Sequence, residues 1–310
     1  MIGQQTSSWV ARSARVRPDS RQVDGVGRKW SRLGLDWLPL ALLPLAAWYG
    51  SAGIAAWARM WLLAGTIFAA CKWLTWRRAV GAMDAVPVLR SLGYVLAWPG
   101  MNAEEFLDRV ARPPAPRLAA WVQAAANTSF GAVLIWGVAR IVVPLSPWAG
   151  GWVGLVGLAF LLHFGVFRFL ALVWQRCGVS AEPIMRCPIA ANSLSDFWGR
   201  RWNLAFRRLA HEYIFLPLTR CFGPRLAMVI AFAASGLLHE AVISLPAGGG
   251  YGLPMCYFLL QAGGLAAERS TVGRRVGLGR GVGGRLIAAA GAASHAADQI
   301  APESCTLDPP

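Results

Sequence analysis

Two ionisable residues, His239 and Glu240, lie inside a long apolar segment, LAMVIAFAASGLLHEAVISLP, at residues 226–246. A charged side chain at the centre of a bilayer costs about 3 kcal/mol or more, so such residues usually face a cavity and act there. Imidazole is largely neutral at pH 7 and can accept the proton of a hydroxyl nucleophile. His239 is therefore a candidate general base, and the alternative from the residues alone is a helix-packing face on which His239 is bonded to a neighbour. Glu240 points about 100° away on a helix, and we predict first a structural role for it.

A second unusual segment, SLSDFWGRRWNLAFRRLAHEYIFLPL, occupies residues 193–218. The spacing predicts one amphipathic basic helix on the cytosolic leaflet, capped by Ser193 or Ser195 and ended by Pro217. Periodicity alone favours an interfacial anchor held by anionic lipid, whereas the arginines would also suit the phosphates of coenzyme A. Asn203 lies on the flank of the apolar stripe, from which its amide can reach into a cavity.

The composition predicts the class of protein that must position these residues. Of 310 residues, 56% are hydrophobic and 15% charged, and the mean hydropathy is +0.45. These values are typical of an all-α, polytopic membrane helix bundle and exclude an ordinary soluble protein. The net charge of +15 could indicate nucleic acid, but the sequence has no pattern typical of a nucleic-acid-binding module. We expect membrane lipids as partners and no nucleic acid.

About six segments are candidates for membrane spans, joined by interfacial or re-entrant helices. The strong candidates are residues 54–76, 118–145, 149–174 and 225–246, and the weaker ones are 35–51 and 252–268. Residues 86–108 contain two prolines and are placed at the interface. The loops near residues 51–53, 145–149 and 247–251 contain no Lys or Arg. By the positive-inside rule, both termini are therefore predicted to be cytosolic.

Four basic residues and one histidine fall within the predicted spans. Arg59 and Lys72 are close enough to the span ends to extend their charges towards the interface. Arg140 and Arg168 are predicted either to do the same or to pair within the bundle. His163 is predicted to be a hydrogen-bonded residue of the bundle interior.

The motif DFWGRRWN at residues 196–203, followed by FRRL and by SGLLHE at 235–240, resembles the wax-synthase-like branch of the membrane-bound O-acyltransferase superfamily. YVLAWPGMNAEEFL at 94–107 and FLLQAGGLAAE at 258–268 add to the resemblance. It implies a multi-helix membrane fold around a tunnel. Acyl-CoA would enter from the cytosol, and a hydroxyl acceptor would arrive from the membrane.

The resemblance also implies roles for individual residues. The histidine and the asparagine characteristic of the family correspond to His239 and Asn203, which we predict to be catalytic. Six further residues are predicted to bind substrate: Asp196, Trp198, Arg200, Arg201, Trp202 and Ser235. Acyl-CoA is expected as co-substrate, with a fatty alcohol or other lipid hydroxyl as acceptor, no other cofactor and no metal.

The predicted organisation has three parts. Residues 1–34 form a basic cytosolic tail, with an organellar transit peptide as the alternative, and residues 35–268 form the membrane acyltransferase domain. Residues 269–310 are rich in Gly, Ala and Arg and depart from the family, which suggests truncation or an altered reading frame. A catalytically inactive lipid-binding or scaffold relative therefore stays an alternative to the wax ester synthase. A branch that acetylates exported polysaccharide is a third hypothesis, which the DFWGRRWN motif disfavours.

Overall fold

The computed structural model describes residues 26–83, 85–110 and 112–279, with side chains from residue 36 onward. Within these ranges all regular structure is helical, which confirms that the predicted fold is all-α. Residues 1–25 and 280–310, which hold most of both predicted tails, lie outside the described residues. The helices are α1 Val26–Gly50, α2 Ala56–Val80, α3 Val88–Ala97, α4 Ala103–Leu107, α5 Leu118–Val142, α6 Pro147–Arg176, α7 Leu194–Asp196 continued by a π-helical turn Phe197–Arg201, α8 Leu204–Ala247, α9 Leu253–Arg269 and α10 Thr271–Val276.

The chain divides into two compact units, Met1–Leu38 and Pro39–Pro310. All the helices that build the candidate site belong to the second unit. Among the described helices, three are long and apolar enough to cross a membrane: α5, α6 and α8. The chain is therefore a helical integral membrane protein.

Helix α8 is interrupted at Gly223, which separates its basic first part from its apolar second part. Gly223 has φ 76° and ψ 166°, a conformation that residues with a Cβ rarely adopt. Pro224 follows, and a proline disfavours helical geometry in the residue before it. The apolar part after this kink corresponds to the predicted span at 225–246.

The prediction of one continuous helix through residues 193–218 is wrong, because the chain breaks at Asn203. Ser193 caps α7, as predicted, by accepting the N–H of Asp196 at 3.0 Å. Asn203 then adopts φ 39°, and α8 starts at the next residue. Asn tolerates this left-handed conformation better than most residues, because its short polar side chain bonds locally. Pro217 does not end the helix; it follows a π-helical turn, His211–Phe215, and the chain continues as α8.

The interface between α2 and the segment after α3 contains a buried lysine. Lys72 is only 1% exposed, and its Nζ donates to the carbonyl of Gly100 at 2.6 Å. The ammonium also lies 3.3 Å from the ring centroid of Tyr94, whose hydroxyl is bonded to Thr75 Oγ1 at 2.8 Å. Cation–π contacts of this kind are strongest when the cation is desolvated. Lys72 therefore ends in a buried contact with the segment at 86–108, and its extension towards the interface stays a prediction.

Amine labelling tests this burial, because the sequence has only two lysines, Lys29 and Lys72. We expect a small amine-reactive reagent to modify Lys72 in detergent at least about tenfold more slowly than in denatured protein, since labelling requires local opening. Peptide mass spectrometry measures the rate at each lysine. Equal rates at Lys72 in the folded and denatured chain would show that its amine is not buried.

Candidate active site

A cavity of about 540 Å³ lies among α2, α7, α8 and α9. Its size is that of a pocket for a small organic ligand. Most of its wall is apolar, with several rings contributed by α7, α8 and α9. The polar groups that reach it belong to Ser195, Asn203, Arg207, His211, Ser235, His239 and Arg269.

One face of α8 forms a long side of the cavity. Met228, Phe232, Ser235 and His239 recur at intervals of three or four residues and all line it. Phe232, Ser235 and His239 therefore share one face of α8. Gly236 instead packs against α9, where a Cβ would lie 3.0 Å from the Cα of Met255.

His239 is held by its own helix. Its Nδ1 lies 2.8 Å from the carbonyl oxygen of Ser235. A carbonyl can only accept, so Nδ1 carries the proton of this bond and the neutral ring has its lone pair on Nε2. The ring also packs on Phe258, with 4.6 Å between centroids. Both contacts restrict the orientation of the imidazole in the cavity.

Asn203 reaches the same cavity from the break between α7 and α8. Its Oδ1 accepts the N–H of Phe206 at 3.4 Å and so caps α8. Its backbone N–H donates to the sulfur of Met185 at 3.2 Å. The left-handed conformation and the cap together place the side-chain amide of Asn203 at the cavity wall.

The six residues predicted to bind substrate divide into two groups. Trp198, Trp202 and Ser235 line the cavity that contains His239 and Asn203. The other three line a smaller, polar cavity of about 420 Å³ instead: Asp196, Arg200 and Arg201. Ser195 borders both cavities.

Two charged residues of the motif pair with each other and hold the local chain. Arg201 Nε donates to Asp196 Oδ2 at 2.7 Å, and Arg201 Nη1 donates to the carbonyl of Cys187 at 3.2 Å. Partial burial raises the pKa of Asp196, but bonds from Arg201 and from the N–H of Asn192 outweigh it and hold that pKa below its usual value. Arg201 therefore stabilises the turn rather than facing the larger cavity.

Two other ionisable residues of the predicted spans, Glu240 and His163, contact other parts of the protein. Glu240 accepts the N–H groups of Gly252 at 2.8 Å and of Met255 at 3.2 Å, at the start of α9. Its predicted structural role is confirmed, through backbone groups and not through an arginine. His163 stacks over Trp202 with 6.5 Å between centroids. Its buried Nδ1 has no hydrogen-bond partner among the described residues, so the predicted hydrogen bond is wrong there.

Three residues of α9 that were not predicted from the sequence complete the site. Phe258 touches His239, Gln261 accepts the indole N–H of Trp198 at 3.1 Å, and Glu268 accepts backbone N–H groups of α7. The spacing of these three along FLLQAGGLAAE places them on one side of a helix, which was the available signal.

A cationic group marks one end of the cavity. Arg269 Nη1 lies 3.6 Å from the sulfur of Met228, and Arg269 Nε lies 3.4 Å from Ser195 Oγ. Met228 and His239 belong to the same helix, along which they are about 16 Å apart. The cavity thus has a guanidinium near one end and an imidazole farther along an apolar wall.

Comparison with known proteins adds to this geometry. Residues 181–260 match the model of the membrane bound O-acyl transferase family. A probable long-chain-alcohol O-fatty-acyltransferase 2 of Arabidopsis thaliana is 32% identical over 107 residues, 29% of this chain and 31% of that protein. An acyl-CoA–sterol O-acyltransferase 1 of the same plant is 31% identical over 94 residues, 28% of this chain and 27% of that protein.

A long-chain-alcohol O-fatty-acyltransferase of Simmondsia chinensis is 39% identical over 71 residues, 20% of each chain. These matches cover less than a third of each relative. The family match includes both His239 and Asn203. Over residues 181–260 the resemblance to the membrane-bound O-acyltransferases, and to their wax-synthase-like members, is therefore confirmed.

Proposed function

We propose that the chain is an acyl-CoA-dependent O-acyltransferase that moves a fatty acyl group to a long-chain alcohol or another lipid hydroxyl, as a wax ester synthase does. The observation that carries the proposal is one largely apolar cavity reached by both His239 and Asn203. Relatives named for long-chain alcohols and for sterols support a lipid hydroxyl as acceptor. The proposed reaction uses no metal and no cofactor besides acyl-CoA.

In the proposed mechanism His239 is the general base. Its Nδ1–H is held by the Ser235 carbonyl, which orients Nε2 as the atom that accepts a proton. The acceptor oxygen attacks the thioester carbon as Nε2 takes the hydroxyl proton. The C–S bond then breaks, and the proton passes from the imidazolium to the leaving thiolate. The transfer is direct and forms no acyl-enzyme.

Asn203 would stabilise the oxyanion formed in this attack. Its Oδ1 is used to cap α8, so its NH₂ group is the part that can donate to substrate. A fixed donor of this kind commonly contributes a factor of about 10² to 10³ in rate. The left-handed backbone at Asn203 holds the donor in place before substrate binds.

The charges at the cavity suggest how the donor lies. Arg207 and Arg269 line the cavity, and guanidinium groups bind phosphate oxygens well. We place the phosphates of acyl-CoA towards Arg269 and the thioester near His239. The aromatic and aliphatic wall between α8 and α9 would then cover apolar parts of the substrates.

We further propose a multi-pass topology of about six spans with both termini cytosolic. In the described part of the chain, three helices meet the length and hydropathy of a span, and α1, α2 and α9 overlap the remaining predicted spans. The outer loops without Lys or Arg support this orientation. Acyl-CoA would then reach the cavity from the cytosol.

Replacing the proposed base tests the function directly. Membranes from a host without neutral-lipid ester synthesis are given labelled palmitoyl-CoA and hexadecanol, and the ester is quantified. We expect ester from the wild type and a loss of about 10² to 10⁴ in kcat for His239→Ala, because the general base is removed. His163→Phe is the matched control, since its ring shape is similar and Nδ1 of His163 makes no hydrogen bond within the described structure.

Two results would count against the proposal. Ester formation that survives His239→Ala would exclude His239 as the base. Folded wild-type protein that makes no ester with hexadecanol, a sterol or diacylglycerol would favour the catalytically inactive lipid-binding relative.

Asn203 offers a second test, because the cap and the proposed donor are different atoms. Asn203→Asp keeps an oxygen that can cap α8 but removes the NH₂ donor. We expect a melting temperature within about 3 °C of the wild type and a fall in kcat of about 10² or more. Thermal unfolding in detergent and initial ester rates measure the two effects. A proportional loss of both would instead indicate that Asn203 serves only the fold.

A further inference from the structure

One face of α9 contacts two segments of the site, α7 and the part of α8 that contains His239. Phe258, Gln261, Leu265 and Glu268 follow the three- and four-residue spacing of a helix face. Phe258 touches His239, and the rest of this face lies against α7 and the cavity. The relative position of His239 and the motif thus depends on a helix that contains neither.

Glu268 lies at the end of this face that contacts the start of α7. It is 6% exposed, and its Oε2 accepts the backbone N–H of Leu194 at 2.8 Å and of Ser195 at 3.3 Å. The first N–H groups of a helix have no partner inside it and carry a partial positive charge. A carboxylate from another helix therefore satisfies the start of α7, next to the local cap from Ser193.

The bonding of Glu268 distinguishes it from an ordinary ion pair. Within the described residues its partners are backbone N–H groups, and the described ion pairs involve other carboxylates. An ion pair can move with two flexible side chains, whereas this bond joins a side chain to a fixed backbone. It therefore determines where the main chain of α7 lies.

Gln261 makes a second contact, with a side chain of the cavity wall. It is 6% exposed, and its Oε1 accepts the indole N–H of Trp198 at 3.1 Å. Trp198 lies edge-on to Phe232 at 5.5 Å and 6.0 Å from Phe258, between centroids. The bond from Gln261 therefore sets the rotation of a ring in the wall beside His239.

We propose that Glu268 and Gln261 are positioning residues, which hold α7 and Trp198 in register with His239 for the acyl transfer. The inference rests on the proposed function. Glu268 fixes the main chain at the start of the motif, and Gln261 fixes the indole one turn farther on. Because Asn203 follows at the end of the same motif, a displaced α7 carries the proposed oxyanion donor away from the thioester.

Glu268→Gln is the first test variant, and Glu182→Gln is its matched control. Glu182 forms an exposed i,i+4 pair with Arg186, away from the cavity. In Glu268→Gln only one oxygen remains to accept, and the amide NH₂ faces backbone donors. We expect hydrogen exchange of amides 194–196 to accelerate about tenfold or more, since a lost buried partner favours opening. Exchange in residues 226–239 should stay unchanged.

The kinetic constants of Glu268→Gln distinguish a positioning role from a general loss of stability. We expect kcat of Glu268→Gln to fall by about tenfold to a hundredfold, because misplacement of catalytic groups affects the reacting geometry. The KM for palmitoyl-CoA should change less than about threefold, since the cavity wall of α8 and α9 is retained. Glu182→Gln should match the wild type in exchange and in both constants.

Gln261→Met and Gln261→Glu form a second pair, which keeps the test decisive if Glu268→Gln does not fold. Met retains the length of the side chain but accepts no strong hydrogen bond, whereas Glu retains an acceptor for Trp198. We expect kcat to fall about tenfold in Gln261→Met and to recover at least partly in Gln261→Glu.

The results decide between distinct conclusions. Faster exchange at 194–196 together with a lower kcat would support the proposal. Unchanged exchange, or faster exchange with an unchanged kcat, would overturn it. A wild type that forms no ester would refute the proposed function and with it any positioning for catalysis. The exchange rates would still show whether Glu268 holds α7.

Discussion

The close packing of α9 on α8 is the contact on which the site depends. Gly236 lets the two backbones approach, because any Cβ there would meet the main chain of Met255. The same pair of helices is also joined by Glu240, whose carboxylate accepts N–H groups at the start of α9. Small residues at such contacts are the usual means of helix association in membranes. The cavity is the space that this pair leaves beside α7.

The site combines an apolar enclosure with a few polar groups, and backbone contacts hold the two that are proposed to be catalytic. His239 is bonded to the carbonyl of Ser235, and Asn203 caps its own helix. Burial strengthens such electrostatic contacts and makes unpaired groups costly. Groups fixed before substrate arrives need little reorganisation during the reaction. Glu268 of α9 also bonds to the backbone, because its carboxylate accepts the N–H of Leu194 at the start of α7.

The sequence allowed the helical class and part of the site to be predicted, because these depend on local patterns. Helical spacing correctly placed Phe232, Ser235 and His239 on one face. The prediction of one continuous helix failed at Asn203, where a residue in the left-handed conformation separates two helices. Hydrophobic periodicity does not reveal such a change in backbone conformation. The burial of Lys72 was not predicted, because its partners, Gly100 and Tyr94, lie on a different segment. Contacts between helices distant in sequence cannot be read from the period of either helix.

Photo-crosslinking with an acyl-CoA analogue tests the central claim that the cavity beside α8 and α9 binds the acyl donor. Palmitoyl-CoA with a diazirine on its chain is irradiated with the protein in detergent, and the labelled peptides are sequenced. We predict labels on residues 226–247, 253–269 and 194–203, lost in the presence of excess palmitoyl-CoA. Labelling confined to α5 and the outer faces of α6, or labelling that palmitoyl-CoA does not reduce, would contradict the account.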